Sequence, residues 1–225
     1  MAMKADFKRP KKIDVLIEFI DPLLGTASAN QNIHRDYIAS KAPDAQTIEE
    51  EVEAVGVEEF IDKQMTVFPR FLAGEKNALK PFLWAYQLKG FFKESAKALR
   101  RFDSSDTKGV QAYKQRIDTT MFVRPKRILL ELPEGERLGN CQRPLRASTP
   151  QGERVCLADS EQAPAGTRMH FSLVFFDSEL IPMAYECLEY GAWHGIGQWR
   201  NSEHGAFRYQ LLDGDKVIGG NWDEF

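Results

Sequence analysis

The sequence is poor in cysteine and has no long apolar run, and these two shortages exclude several classes of protein. Its three cysteines, Cys141, Cys156 and Cys187, are widely spaced and odd in number, so they give no disulfide framework. No apolar stretch approaches the length of a membrane-spanning helix. The basic start MAMKADFKRPKK lacks the apolar stretch of a signal peptide. We therefore expect a cytoplasmic protein of a reducing compartment that does not contact a membrane.

The signatures of several enzyme classes are also missing. The absence of G-K-[ST] excludes a P-loop, and neither G-x-S-x-G, H-E-x-x-H nor a kinase signature occurs. The spacings of histidine and cysteine match no zinc motif. The sequence therefore predicts no metal site and no cofactor, and it favours a binding protein over an enzyme.

Charge is small overall but unevenly distributed. The 225 residues have a net charge of −3 and are 43% hydrophobic, which is enough for a folded core. Asp44–Asp62 contains eight acidic and no basic residues, whereas Trp84–Arg146 contains fourteen Lys and Arg against seven Asp and Glu. This asymmetry predicts a basic face on a mildly acidic protein.

The hydrophobic patterns predict an α+β protein. Apolar residues of Trp84–Phe102 recur at helical spacing, with a second, basic stripe that includes Lys89 and Lys93. A second helix is predicted to begin at Pro182 and to run to Tyr190, with Gly191 at its C-terminal cap. The long elements follow in the order strand 13–20, helix 84–102, a pair of strands within 127–176, helix 182–190 and strand 206–212. This order predicts a ferredoxin-like (RRM-like) β-α-β-β-α-β core in a single domain over 1–225, with 21–82 inserted between the first strand and the first helix.

A glycine-rich loop between the second helix and the last strand is the strongest candidate for a binding site. Gly195, Gly197 and Gly205 bracket the polar and aromatic segment QWRNSEH. Free amides in such a loop can bind an anion, the guanidinium of Arg200 suits phosphate, and Trp199 offers a face for a base. The order helix, loop, strand is the reverse of a dinucleotide-binding fingerprint. A turn that only reverses the chain is the alternative.

Three stretches on these elements resemble the RAMP superfamily, the CRISPR-associated RNA-binding proteins of the Cas5, Cas6 and Cas7 types. IEFIDPLLG over 17–25 resembles the end of their first strand, LWAYQLKGFFKESAKAL over 83–99 resembles their first helix, and GIGQWRNSEHGAF over 195–207 resembles their glycine-rich loop. The segments QLKGFF, CQRPLRA and GIGQWRNS are also similar to those of uncharacterised phage and prophage proteins. The likeness covers about half of the chain.

The resemblance implies contact with RNA or another single-stranded nucleic acid, and self-association into an oligomer along it. The expected contact residues are Lys89, Lys93, Arg124, Lys126, Arg127, Gly195, Gly197, Trp199, Arg200, His204 and Gly205. Two alternatives stay open. One is a metal-independent endoribonuclease of the Cas6 type, in which His34, His194 or His204 transfers the proton. The other is a phage protein that presents its acidic segment to a host factor.

Overall fold

The computed structural model describes residues 9–28, 65–73, 78–149 and 152–224. His34 and the short acidic helix that the sequence predicts over 47–54 lie outside these residues. In chain order the elements are β1 (Lys11–Phe19), β2 (Leu23–Leu24), β3 (Ala27–Ser28), β4 (Met65–Val67), β5 (Arg70–Ala73), β6 (Ala78–Trp84), α1 (Ala85–Leu99), α2 (Tyr113–Thr120), β7 (Met121–Arg124), β8 (Arg127–Leu129), β9 (Gly139–Thr149), β10 (Gly152–Ala163), β11 (Arg168–Phe175), α3 (Leu180–His194), β12 (Phe207–Asp213) and β13 (Lys216–Gly220). Short 3₁₀ turns lie at Asp106–Gly109 and Arg200–Ser202.

A central antiparallel sheet has the order β13-β12-β1-β11-β7. Alternate residues of its strands are apolar, as expected when one face of a sheet is buried. In β1 these are Ile13, Val15 and Ile17, all fully buried. Residues of α1 and α3 belong to the same core and the two helices contact each other. The α+β class predicted from the sequence is confirmed. Along the chain the core elements follow as β1, α1, β7, β11, α3 and β12.

The segments that follow β1 and β8 pair with each other at the edge of this core. Strand β10 pairs with β9 along one side, and with β2 and the parallel strand β4 along the other. The buried carboxylate of Glu161 accepts a hydrogen bond from the amide of Phe68 at 2.9 Å and forms an ion pair with Arg70. The amide of Gly25 donates to the carbonyl of Glu161 at 2.8 Å. These contacts hold residues 23–25 beside the loop that precedes β12.

Two predicted helix boundaries differ from the structure. The first helix begins at Ala85, because the apolar residues before it extend β6 through Trp84. It ends at Leu99. The second helix continues past Gly191 to His194, and Gly195, at φ +84°, follows its last turn. Gly191 is therefore not a helix cap. Its missing side chain leaves room for the ring of Phe91 where α1 and α3 cross.

We predict that Gly191→Ala destabilises the protein. A Cβ at this position would lie 2.2 Å from the Cζ atom of Phe91, and this buried ring is confined by Phe92 and Phe207. Overpacking of this kind costs about 1–3 kcal/mol. Gly90→Ala in α1 is the matched control because a Cβ there meets nothing within 4 Å. The control should stabilise the protein by about 0.5–1 kcal/mol. Urea unfolding measures both changes, and equal changes would contradict the described crossing of α1 and α3.

Candidate nucleic-acid interface

The glycine-rich loop is closed by a contact between its two ends. The amide of Ile196 donates to the carbonyl of Gly205 at 2.9 Å. A Cβ at Gly205 would lie 2.0 Å from the carbonyl oxygen of Ile196, and one at Gly195 would lie 2.4 Å from that of His204. Both glycines also have positive φ, +84° at Gly195 and +75° at Gly205. Close backbone approach therefore explains these two glycines.

The loop also docks on the chain that follows β1. The amide of Gly205 donates to the carbonyl of Pro22 at 3.0 Å, and the side-chain amide of Gln198 donates to the carbonyl of Gly25 at 3.1 Å. Gly197, at φ +93°, lies against Leu23. The loop is thus held by hydrogen bonds to residues 22–25 as well as by the hydrogen bond between its own ends.

Several loop amides already have acceptors within the protein. These donors are the backbone amides of Gly195, Ile196, Ser202, Glu203 and Gly205, all bonded to backbone carbonyls. An anion site of the kind predicted from the glycines must therefore use other donors of the loop, together with side chains.

Trp199 is a loop residue whose ring faces Arg143 of strand β9. Its side chain is 38% exposed, and its ring centroid is 4.7 Å from that of His204 and 5.4 Å from the guanidinium carbon of Arg143. The backbone of Trp199 has φ +57°, a left-handed conformation that is unusual for a bulky residue. Strained residues of this kind concentrate at functional sites, and the assignment of Trp199 to one stays a prediction.

Arg143 was not among the predicted contact residues, yet it supports this part of the interface. It is 5% exposed and donates to the side chains of Ser160 at 2.9 Å and Gln198 at 2.7 Å. Within the described residues it has no carboxylate partner, and its Nε has no acceptor. Its position on a strand 52 residues or more before the loop gave no sequence signal for the contact. The result is a buried cation with neutral partners beside Trp199.

Arg200 forms an ion pair with Glu94 of α1, with 2.7 Å between Nη2 and Oε1. The side chain of Arg200 is 24% exposed and that of Glu94 is 51% exposed. The hydrogen bond from Arg200 lowers the pKa of Glu94. Burial lowers the pKa of His194, and the nearby charge of Arg200 lowers it further, whereas Glu94 raises it. The loop cation predicted to bind phosphate is therefore partly neutralised by α1.

The other predicted cations gather around aromatic rings at the start of α1 and at the turn between β7 and β8. We call this set the basic aromatic surface; its members are Trp84, Tyr86, Lys89, Lys93, Phe122, Arg124, Lys126 and Arg127. Cation-to-centroid distances are 5.0 Å for Lys89 and 5.9 Å for Arg124 over Phe122, and 5.7 Å for Lys126 and 5.4 Å for Arg127 over Trp84. The amide of Ala85 donates to the carbonyl of Lys126 at 2.9 Å, which joins the helix to the turn.

Two of these lysines contact α2 as well. Lys93 forms an ion pair with the carboxylate of Asp118 at 2.5 Å, and Lys89 donates to the backbone carbonyl of Asp118 at 3.1 Å. Burial lowers the pKa of Lys89; Lys93 and Arg124 lower it further, and Asp118 raises it. A partly buried lysine among like charges is a favourable position for an anion, because the anion would relieve this repulsion.

The candidate catalytic histidines have different surroundings. His204 is hydrogen-bonded through Nδ1 to the carbonyl of Ser202 at 2.9 Å, whereas His194 lies beside Tyr190, 5.1 Å between ring centroids. Within the described chain, no group of three or more His, Cys, Asp or Glu side chains could hold a metal ion. No helix of that part of the chain is both long and apolar enough to span a membrane.

The structure thus divides the predicted contact residues into two groups. The loop contains Gly195, Gly197, Trp199, Arg200, His204 and Gly205, and the basic aromatic surface contains Lys89, Lys93, Arg124, Lys126 and Arg127. Helix α1 contacts both groups, through Lys89 and through Glu94. The sequence predicted Trp84 on the apolar face of the first helix. It did not indicate that Lys126 and Arg127 lie over the Trp84 ring. The only signal was the succession of aromatic and basic residues in WAYQLK and FVRPKR.

Comparison with known proteins finds structural likeness without sequence likeness. No protein-family model and no curated protein sequence matches the chain. A chain of a Type IV-B CRISPR complex matches with a TM-score of 0.45 and 12% identity, over 91% of this chain and 92% of that one. A chain in the cryo-EM structure of the Type III-B Cmr-beta complex bound to cognate target RNA matches with a TM-score of 0.51 and 8% identity, over 91% of this chain. The alignment spans 61% of that second chain. Both neighbours belong to CRISPR effector complexes, and at these identities the likeness concerns the fold alone.

We predict opposite shifts of the His194 pKa in two charge-removing variants. Arg200→Gln removes a positive neighbour and should raise the pKa of His194, whereas Glu94→Gln removes a negative neighbour and should lower it. The imidazole proton resonances, followed by NMR against pH, measure both values. Shifts in the same direction in both variants would contradict the described contact between the loop and α1.

Proposed function

We propose that the chain is a noncatalytic RAMP-like subunit that binds single-stranded RNA through the basic aromatic surface and the glycine-rich loop. The observation behind this proposal is that four cations, Lys89, Arg124, Lys126 and Arg127, each lie 5.0 to 5.9 Å from an aromatic ring on adjoining elements. Proteins that bind single strands combine cations for the phosphates with rings on which bases stack.

Two cations of the basic aromatic surface have no carboxylate partner among the described residues. Arg124 and Arg127 form no ion pair with a carboxylate among the described residues, and Arg124 is exposed. Lys93 forms an ion pair with Asp118. A polyanion would therefore gain attraction at Arg124 and Arg127 without first displacing a carboxylate of the described residues.

The glycine-rich loop supplies a second region of contact in this proposal. Trp199 is partly exposed and strained, and the buried guanidinium of Arg143 beside it has only neutral partners within the described chain. A buried cation without a counter-charge is costly. A phosphate bound near Trp199 would offset part of that cost, and release of Arg200 from Glu94 would add a second cation.

The fold supports the family part of the proposal. We infer a ferredoxin-like core, because the strands β12, β1, β11 and β7 lie side by side as the fourth, first, third and second strands of a β-α-β-β-α-β unit. The likeness to a chain of an RNA-bound Cmr-beta complex, at a TM-score of 0.51, agrees with a RAMP-like assignment. Self-association along the strand is part of the same proposal, and the mass of complexes on RNAs of increasing length tests it.

Single-stranded RNA should bind with a strong dependence on salt. The slope of log K against log salt is about −0.7 per neutralised phosphate for single strands. The variant Arg124→Gln/Lys126→Gln, which removes two exposed cations, should therefore make the slope less negative by about 1.4. Fluorescence anisotropy with a labelled 20-nucleotide strand, a probe length chosen at roughly the size of one or two binding sites, measures it.

The matched control is Lys97→Gln/Arg101→Gln, which removes two exposed cations at the other end of α1. It should leave the slope nearly unchanged. Failure of the wild-type protein to retain RNA at low salt would reject the proposed function. Equal slopes in both double variants would place the interface elsewhere.

A further inference from the structure

A cavity of about 260 Å³ opens within the basic aromatic surface. It lies between the first turn of α1, strand β7 and the turn that follows β7. Three cations and three aromatic rings contribute to its wall, and no acidic residue does so among the described residues; the lining is Trp84, Ala85, Tyr86, Lys89, Phe122, Val123, Arg124 and Lys126. Such a wall suits a ligand that is both planar and anionic.

Two stacked rings, those of Trp84 and Tyr86, form the aromatic side of the cavity. Trp84 and Tyr86 are nearly parallel, with 15° between their rings and 6.4 Å between centroids. Trp84 is 2% exposed, and its indole Nε1 has no hydrogen-bond partner in the described chain. A buried donor without an acceptor is unfavourable.

The cationic side suits a phosphate. Lys89, Arg124 and Lys126 line the cavity together with Ala85 and Tyr86, the first two residues of the 15-residue helix α1. The amino end of a helix has a positive potential, although the amide of Ala85 is already bonded to the carbonyl of Lys126. Burial is the main cause that lowers the pKa of Lys89; Lys93 and Arg124 lower it further, whereas Asp118 raises it.

We propose that this cavity binds one unstacked nucleotide, with the base against the exposed ring of Tyr86 and the 5′-phosphate on the three cations. The inference rests on the proposed function, because it names a subsite of the same RNA-binding surface. The volume favours one nucleotide over a stacked run, since it lies below the roughly 300–1,000 Å³ typical of pockets for drug-sized ligands. The site therefore differs from the rest of the surface in recognising base and phosphate together.

Binding of 5′-UMP to the full chain, measured by NMR chemical-shift titration, tests the proposal against uridine and inorganic phosphate. We expect 5′-UMP to bind at least tenfold more tightly than either fragment, because only the nucleotide contacts both sides of the cavity. Tyr86→Leu removes the exposed ring and should weaken 5′-UMP about tenfold, within the range known for base stacking on aromatic side chains. Lys126→Gln should weaken 5′-UMP but leave uridine unchanged.

Phe102→Leu is the matched control, because Phe102 is an exposed aromatic residue beyond the other end of α1. It should not change 5′-UMP binding, and thermal unfolding shows whether each variant is folded. If 5′-UMP and inorganic phosphate bind equally and Tyr86→Leu has no effect, the cavity is an anion site only and the proposal is wrong. If the protein binds the 20-nucleotide strand but not 5′-UMP, the assignment of the cavity as a nucleotide site is wrong and the proposed function is kept. If it binds 5′-UMP but no strand, the proposed function fails and the pocket stands.

Discussion

The crossing of α1 and α3 is the contact on which both parts of the interface depend. Phe91 of α1 fits into the space that Gly191 of α3 leaves open and also packs against Phe207 of β12. This packing fixes the position of α1 on the central sheet. Because α1 contributes Lys89 to the basic aromatic surface and Glu94 to the contact with Arg200, a shift of this helix would move both groups at once.

The glycine-rich loop is positioned by residues from distant parts of the chain. Pro22 and Gly25 accept its hydrogen bonds from one side, and Arg143 of β9 contacts Gln198 and Trp199 from the other. The pairing of β10 with β2 and β4 brings these supports together. The loop is therefore a docked element, and its exposed part is limited mainly to the segment around Trp199.

The cations of the glycine-rich loop and those of the basic aromatic surface have different partners. The loop cation Arg200 is paired with Glu94, whereas exposed Arg124 has no carboxylate partner among the described residues. Ion pairs at partly exposed positions contribute little to stability, commonly about 0–1 kcal/mol. The ion pair of Arg200 with Glu94 can therefore be broken at small cost, and Arg124 has no described ion pair to break. Under the proposed function, Arg124 is therefore the more favourable place for first contact with a polyanion.

The sequence by itself determined the elements whose patterns are local. The apolar run over 13–20 predicted the first strand, helical spacing predicted α1, and the glycines marked the loop before β12. It also determined which cations belong to the basic segment 84–146. Only the tertiary structure decided that Trp84 ends a strand, that Gly191 receives Phe91, that Arg143 lies beside Trp199 and that a cavity forms between α1 and β7. These features depend on contacts between residues far apart in the chain, and periodicity within one segment contains no information about what packs against it.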